Sequence, residues 1–137
     1  MQNPPPAPAA KSSTGLDENI AALLAYIAGW VSGLIFFLIE KDSRLVRFHA
    51  MQSILLNVLV VVLAVVFSVV ITVLVLVLGM VSDSLAAIAG ILSYLLWLLL
   101  CLVILILWVL CLIKAYQGQM YKLPIVGNFA EKFSAPK

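Results

Sequence analysis

The residues best equipped for chemistry stand in one short stretch, Glu40-Lys41-Asp42-Ser43-Arg44-Leu45-Val46-Arg47-Phe48-His49-Ala50-Met51-Gln52-Ser53, with Asn57 one turn further on. A hydrolytic triad would draw on Ser53, His49 and an aspartate, and a metal centre would start from His49. Neither set is complete. The chain has one histidine, and no second His, Cys or carboxylate falls at ligand spacing from it. The remaining aspartate of interest, Asp83, is expected across a membrane from His49, which removes the third member of a triad.

What the stretch does offer is recognition. Glu40 precedes Arg44 by four residues, the favourable order for an ion pair along a helix. On a helix, His49, Gln52 and Ser53 share a face beneath Arg47. Such a face suits three roles: binding anionic lipid headgroups, gripping the chain's own C-terminal tail, or docking a partner. Membrane anchoring by positive charge explains Arg44 and Arg47 but leaves the His-Gln-Ser face without a purpose. The expected site is therefore an interaction surface of Arg44, Arg47, His49, Gln52, Ser53 and Asn57, non-enzymatic, without metal or cofactor. The two cysteines, Cys101 and Cys111, lie ten residues apart in one apolar run. A helix separates them by roughly 15 Å, too far for a disulfide, which needs Cα atoms within about 7 Å.

The elements that position these residues follow from composition. Hydrophobic residues make up 65% of the 137 and charged residues 10%, against roughly 25% charged in an ordinary soluble domain. With a mean hydropathy of +1.21, there is too little polar surface to cover a globule in water, so lipid must be the solvent. A net charge of +2 is too small to indicate nucleic acid.

Three apolar runs are long enough to cross a hydrocarbon core, which takes about 20 helical residues. They cover about 20–39, 53–80 and 86–113. The Val- and Leu-rich stretch 58–81 would read as strand by soluble propensities. In lipid, every backbone group must pair within its own segment, and helix wins. Asp17 or Asn19 is placed to cap the first run, and Gly79, Ser82, Asp83 and Ser84 suit the turn between the second and third. Residues 1–18, with Pro4, Pro5, Pro6 and Pro8, read as a disordered tail, and no secretory signal peptide is expected there. After Lys114, Tyr116, Tyr121, Phe129 and Phe133 alternate with lysines, a composition suited to headgroup depth; residues 134–137 form a short tail.

Faces on the runs predict how they pack. Ala21, Ala25, Gly29 and Gly33 recur every fourth residue, small side chains that let helices approach closely in lipid. Ser53, Asn57, Ala64, Ser68 and Thr72 make a polar and small stripe on the second run. That stripe suits hydrogen bonding between helices or, in an oligomer, a polar pathway. Ala86, Gly90 and Ser93 repeat the small-residue theme on the third. Under three spans, the basic residues divide seven to one between the two sides, with only Lys11 on the N-terminal side. Because cytoplasmic segments concentrate Lys and Arg, the expectation is an all-α bundle of three transmembrane helices, N-terminus outside and C-terminus cytoplasmic.

Three segments carry a family resemblance: Asn19-Ile20-Ala21-Ala22-Leu23-Leu24-Ala25-Tyr26; Glu40-Lys41 with Val46-Arg47-Phe48-His49-Ala50-Met51-Gln52-Ser53; and Ala115-Tyr116-Gln117-Gly118 leading to Tyr121-Lys122-Leu123-Pro124-Ile125-Val126-Gly127. In these the chain resembles a family of small bacterial and archaeal membrane proteins of unknown function. That family is grouped by similarity with the twenty-kilodalton inner-envelope component of the chloroplast protein import translocon. The resemblance implies a place in a translocation-related or other membrane assembly and brings no catalytic residues. The expected function is thus a non-enzymatic multi-pass protein of a prokaryotic plasma membrane, acting through its basic loop and C-terminal tail. The expected partners are the bilayer with its anionic headgroups and a membrane protein or second copy, with no nucleic acid. The alternative is a small oligomeric channel or transporter using the stripe around Asn57.

Overall fold

The computed structural model describes residues 10–135; the first nine residues, which hold the prolines of the expected tail, and the last two lie outside the described residues. The described chain is helical throughout, with no β-strand: α1 Glu18–Ile27, α2 Trp30–Ile39, α3 Arg44–Val81, α4 Asp83–Tyr116 and α5 Val126–Phe133. It divides into two compact units, one holding the chain up to Asn57 together with Leu110 onward, the other Val58–Val109.

α3 and α4, of 38 and 34 residues, are roughly 57 and 51 Å long, more than a core of about 30 Å requires. Within the Val58–Val109 unit they form an antiparallel pair joined by Ser82 alone. Phe67 stacks on Trp97 with ring centroids 5.4 Å apart, and a Cβ at Gly79 would stand 3.6 Å from that of Ala86. These pairs are centred within half a residue of each other, on Ser82 and just after it, which sets the register. Ser93 donates to the Ala89 carbonyl at 2.6 Å, so its hydroxyl is satisfied inside its own helix. Val61, Val69, Leu76, Ile91 and Leu99 are all exposed. A contiguous apolar surface of this extent has no place in water and is the surface of a helix pair solvated by lipid.

The first apolar run departs from expectation. A single span was predicted over 20–39, but the helix stops at Ile27 and a new one starts at Trp30. Gly29 between them has φ +61°, a backbone region that side chains other than glycine's rarely enter. The path of the chain shows what the break does. Gly29 lies level with Ser53 and Asn57, while Tyr26, three residues earlier, lies level with His49 and Gln52. Further back still, the Asn19 amide reaches the Tyr116 carbonyl at 3.0 Å. α1 therefore runs back alongside α2 instead of extending it. Each of the two ten-residue helices is roughly 15 Å long, about half the hydrocarbon thickness.

Their outer ends meet. The Ser13 N–H donates to both Glu40 carboxylate oxygens at 3.1 and 3.0 Å, and its hydroxyl to Oε1 at 2.7 Å. A bilayer cannot separate groups in hydrogen-bond contact, so the N-terminal segment and the 40–43 loop share one side. The expected arrangement, N-terminus outside and that loop inside, would part the two segments that this contact joins. Residues 10–17, read as part of a disordered tail, form an ordered turn: Ser12 N–H donates to the Leu16 carbonyl at 2.8 Å, Glu18 N–H to that of Ala10 at 2.9 Å, and Lys11 pairs with Asp17 at 3.4 Å. Asp17 stands at the N-cap of α1 without a capping bond; Asn19, the other candidate cap, is turned to Tyr116.

The small residues of the first run divide their duties. Ala21 and Ala25 are fully buried on α1. Gly33 on α2 sits so close to α3 that a Cβ there would stand 2.9 Å from the Ala50 carbonyl oxygen.

Candidate functional site

The predicted interaction residues converge in the unit that contains both chain ends, and the groups they hold are mainly the chain's own backbone. His49, Gln52 and Ser53 share one face of the first turns of α3, as their spacing predicted, Arg47 leaves the opposite side of the helix, and all four are buried. Buried polar groups must find partners, and each can be followed to its own.

His49 Nε2 lies 2.9 Å from the Gln119 carbonyl. A carbonyl only accepts, so Nε2 carries the proton and Nδ1 is left as acceptor for the Tyr26 hydroxyl at 3.0 Å. The Tyr26 oxygen in turn receives the Gln52 amide at 3.0 Å. Gln52 also donates to the Tyr121 carbonyl at 3.0 Å and accepts the Leu123 N–H at 3.2 Å, which fixes which way its amide points. The result is a directed relay from Gln52 through Tyr26 to His49 that pins residues 119–123 across α1 and α3. The rings support it: Tyr26 and Phe48 each meet the imidazole edge-on, at 5.6 and 5.1 Å.

Arg47 fastens two more segments. Its Nε donates to the Ser134 carbonyl at 3.2 Å, and Nη1 donates to the Phe37 and Glu40 carbonyls at 3.3 and 2.7 Å. Its guanidinium carbon stands 4.5 Å from the centre of the Phe37 ring, a cation–π contact. These are the terminal carbonyls of α2, orphaned by the end of the helix.

The break at Gly29 would strand backbone groups at membrane depth, where irregular backbone is tolerated only against protein. Two serines resolve this. Ser53 donates to the Gly29 carbonyl at 2.9 Å, and Ser32 accepts the Ala28 N–H at 3.0 Å while standing 3.0 Å from the Ala25 carbonyl. Asn57 caps the arrangement, donating to the Ser53 carbonyl at 2.9 Å with its amide packed on Gly29. The rest of the predicted stripe is placed differently. Ser68 and Thr72 border a shallow groove of about 310 Å³ with Ser93 and Tyr94, within the α3–α4 pair.

Glu40 anchors the N-terminal segment. Its fully buried carboxylate takes bonds from the Ser13 N–H and hydroxyl and from the Asp42 and Ser43 N–H groups. Burial pushes its pKa up, but the Ser13 hydroxyl and the three backbone N–H groups outweigh that and hold the carboxyl below its ordinary value. The predicted Glu40–Arg44 pair does not form, because Glu40 lies outside the helix. Arg44 instead faces Glu131 of α5 at 3.4 Å, where Lys122 also pairs.

Sequence reasoning missed Tyr26, Ser13, Ser32 and Gln119, and it gave Glu40 the wrong partner. Tyr26 had a signal in its place beside the buried Ala21–Ala25 face. The Gln119, Tyr121 and Ser134 carbonyls had none, since a main-chain acceptor leaves no mark on residue type.

Residues 16–130 match the model of the magnetosome magnetite crystal formation protein family. A UPF0132 membrane protein of Methanocaldococcus jannaschii is 36% identical over 124 residues, covering 90% of this chain and 94% of that protein. A second from the same organism is 36% identical over 123 residues, 87% of this chain and 71% of its own length. A UPF0132 membrane protein of Archaeoglobus fulgidus is 34% identical over 117 residues, covering 85% and 95%. No solved structure matches at a significant level. These matches support the resemblance to a prokaryotic membrane protein family of unassigned role; they lend none to the chloroplast import component.

Proposed function

The chain belongs to the magnetosome magnetite crystal formation protein family, whose archaeal relatives are membrane proteins, and from that premise we propose that it is a non-enzymatic membrane scaffold. In this reading α3 and α4 cross the plasma membrane as a hairpin, and α1–α2 enters and leaves by one leaflet. Both termini lie in the cytoplasm, where the 40–43 loop, residues 117–125 and α5 form a platform for assembly with other membrane components. The family description names crystal formation; this chain's contribution to such an assembly is structural, with no group transferred.

One observation carries the reading. The polar residues that could have done chemistry, Arg47, His49, Gln52 and Ser53, are spent on carbonyls and N–H groups of the chain itself. Charge supports the topology: no Lys or Arg occurs between Phe48 and Ile113, and the α3–α4 turn carries Asp83 alone. With two spans, every basic residue falls on the cytoplasmic side.

Two measurements test it. Single cysteines replacing Lys11, Ser84 and Lys132, in a background without Cys101 and Cys111, are offered a membrane-impermeant maleimide on intact cells. Ser84→Cys labels from outside; the other two label only after lysis. Labelling of Lys11→Cys on intact cells would sink the two-span arrangement. For the scaffold role, His49→Asn lowers cellular function in step with the amount of folded protein. Loss of function at an unchanged folded level would show that His49 acts chemically.

A further inference from the structure

The polar cluster is satisfied internally with two exceptions, and both are cations on one cavity. Of the three nitrogens of Arg47, Nε and Nη1 are bonded to carbonyls, while Nη2 has no partner among the described residues, although the residue is only 7% exposed. The Lys41 ammonium also has no partner among the described residues; only its main-chain N–H is used, on the Ser13 hydroxyl at 3.0 Å. Lys41 and Arg47 line a cavity of about 310 Å³ together with Phe37, Leu38 and Glu40, at the end of α2.

We propose that this cavity binds the phosphodiester headgroup of an acidic phospholipid. The phosphate oxygens meet the Lys41 ammonium and Arg47 Nη2, a point charge beside a planar donor, the combination suited to a phosphate. Glu40 does not oppose it, because its carboxylate is fully buried and engaged by four donors on Ser13, Asp42 and Ser43. The remaining acid nearby, Asp42, accepts the Ser13 hydroxyl at 3.0 Å. The walls decide between a lipid and a free phosphate ion. The Phe37 ring lies against the guanidinium, and Leu38 is 68% exposed beside it, an apolar edge that an inorganic ion leaves bare and an acyl chain covers. The depth also fits, since residues 37–41 close an apolar helix whichever count of spans holds. The inference thus goes beyond the scaffold reading and stands apart from it.

The test uses the full chain in mild detergent, with bound lipid read by native mass spectrometry. Phosphatidylglycerol and phosphatidylcholine of equal chain length are offered in parallel, each with and without millimolar inorganic phosphate. The wild type retains one phosphatidylglycerol in preference to phosphatidylcholine, and phosphate does not displace it. One lysine near a headgroup contributes about a fivefold change in affinity, so Lys41→Gln lowers phosphatidylglycerol occupancy about fivefold. Lys41→Arg restores it, and Leu38→Ser weakens it. The Lys41 ammonium holds nothing in the fold, so these variants keep the wild-type melting temperature. Equal retention of the two lipids by the wild type, or an unchanged preference in Lys41→Gln, overturns the proposal. Displacement of the lipid by inorganic phosphate overturns it too, in favour of a simple ion site.

Discussion

Gln52 shows how much one side chain can hold. Its amide joins Tyr26, the Tyr121 carbonyl and the Leu123 N–H, so Gln52→Leu keeps the volume and strands buried groups on two other segments. Each stranded group costs about 1–3 kcal/mol, and a loss of several kcal/mol is expected, read as a lower melting temperature in detergent. Glu40 adds a dependence on pH. Because its carboxyl is held below the ordinary value, its contribution is fully present above the unfolded value of about 4.3 and is lost as pH falls through the lowered folded value. Acidification through that lowered value should release the N-terminal segment, seen as faster amide exchange at Ser13. Glu40→Gln should show that fast exchange at neutral pH already. The shared face of His49, Gln52 and Ser53 was legible because helical geometry alone sets it. Their partners were not, because most are main-chain atoms. Arg44 was misassigned for a related reason: local spacing favoured Glu40, and the true partner, Glu131, is 87 residues away.

Among the elements, the first apolar run was the hardest to read. Twenty uncharged residues look alike whether they cross a bilayer once or turn back halfway, since hydropathy carries no direction. Its GxxxG pair suggested two equivalent packing positions, yet the glycines do different work. Gly29 supplies the turn with φ +61°, and Gly33 admits the Ala50 carbonyl. Gly29→Ala should cost on the order of 1–3 kcal/mol from backbone strain alone, with the Asn57 amide adding crowding at 3.1 Å. Gly33→Leu should separate α2 from α3 and release α1–α2, a change detectable as protease sensitivity near residues 28–30. Ile125 offers the opposite sign. It bends residues 124–126 with φ +68°, closing the Val126 N–H onto the Pro124 carbonyl at 2.8 Å. That is a costly conformation for a β-branched residue, and Ile125 is exposed. Ile125→Gly should therefore raise the melting temperature, with the relieved strain outweighing about 1 kcal/mol of added chain entropy. The long helices were the easiest to read, because lipid leaves an apolar run of that length no alternative to helix.

For the whole molecule, composition was enough to name the solvent, whereas the distribution of charge changes its meaning with the number of spans. Lys11 is a minor exception to the positive-inside pattern under three spans; under the two proposed spans it joins the majority. The clasp of Tyr26, His49 and Gln52 on residues 119–123 also sets an order in time. Tyr26, His49 and Gln52 are synthesised early, whereas Gln119, Tyr121 and Leu123, which they hold, come about 70 residues later than His49 and Gln52. At 5–20 residues per second, that interval is on the order of ten seconds, in which α1–α2 and the start of α3 are already made but lack the strap of residues 119–123 across them. A chain stopped after Gly118 should insert its long hairpin normally and leave α1–α2 open to labelling. Biogenesis is thus two events: the long apolar hairpin is laid down while translation proceeds, and the polar cap locks only once the last residues have been delivered.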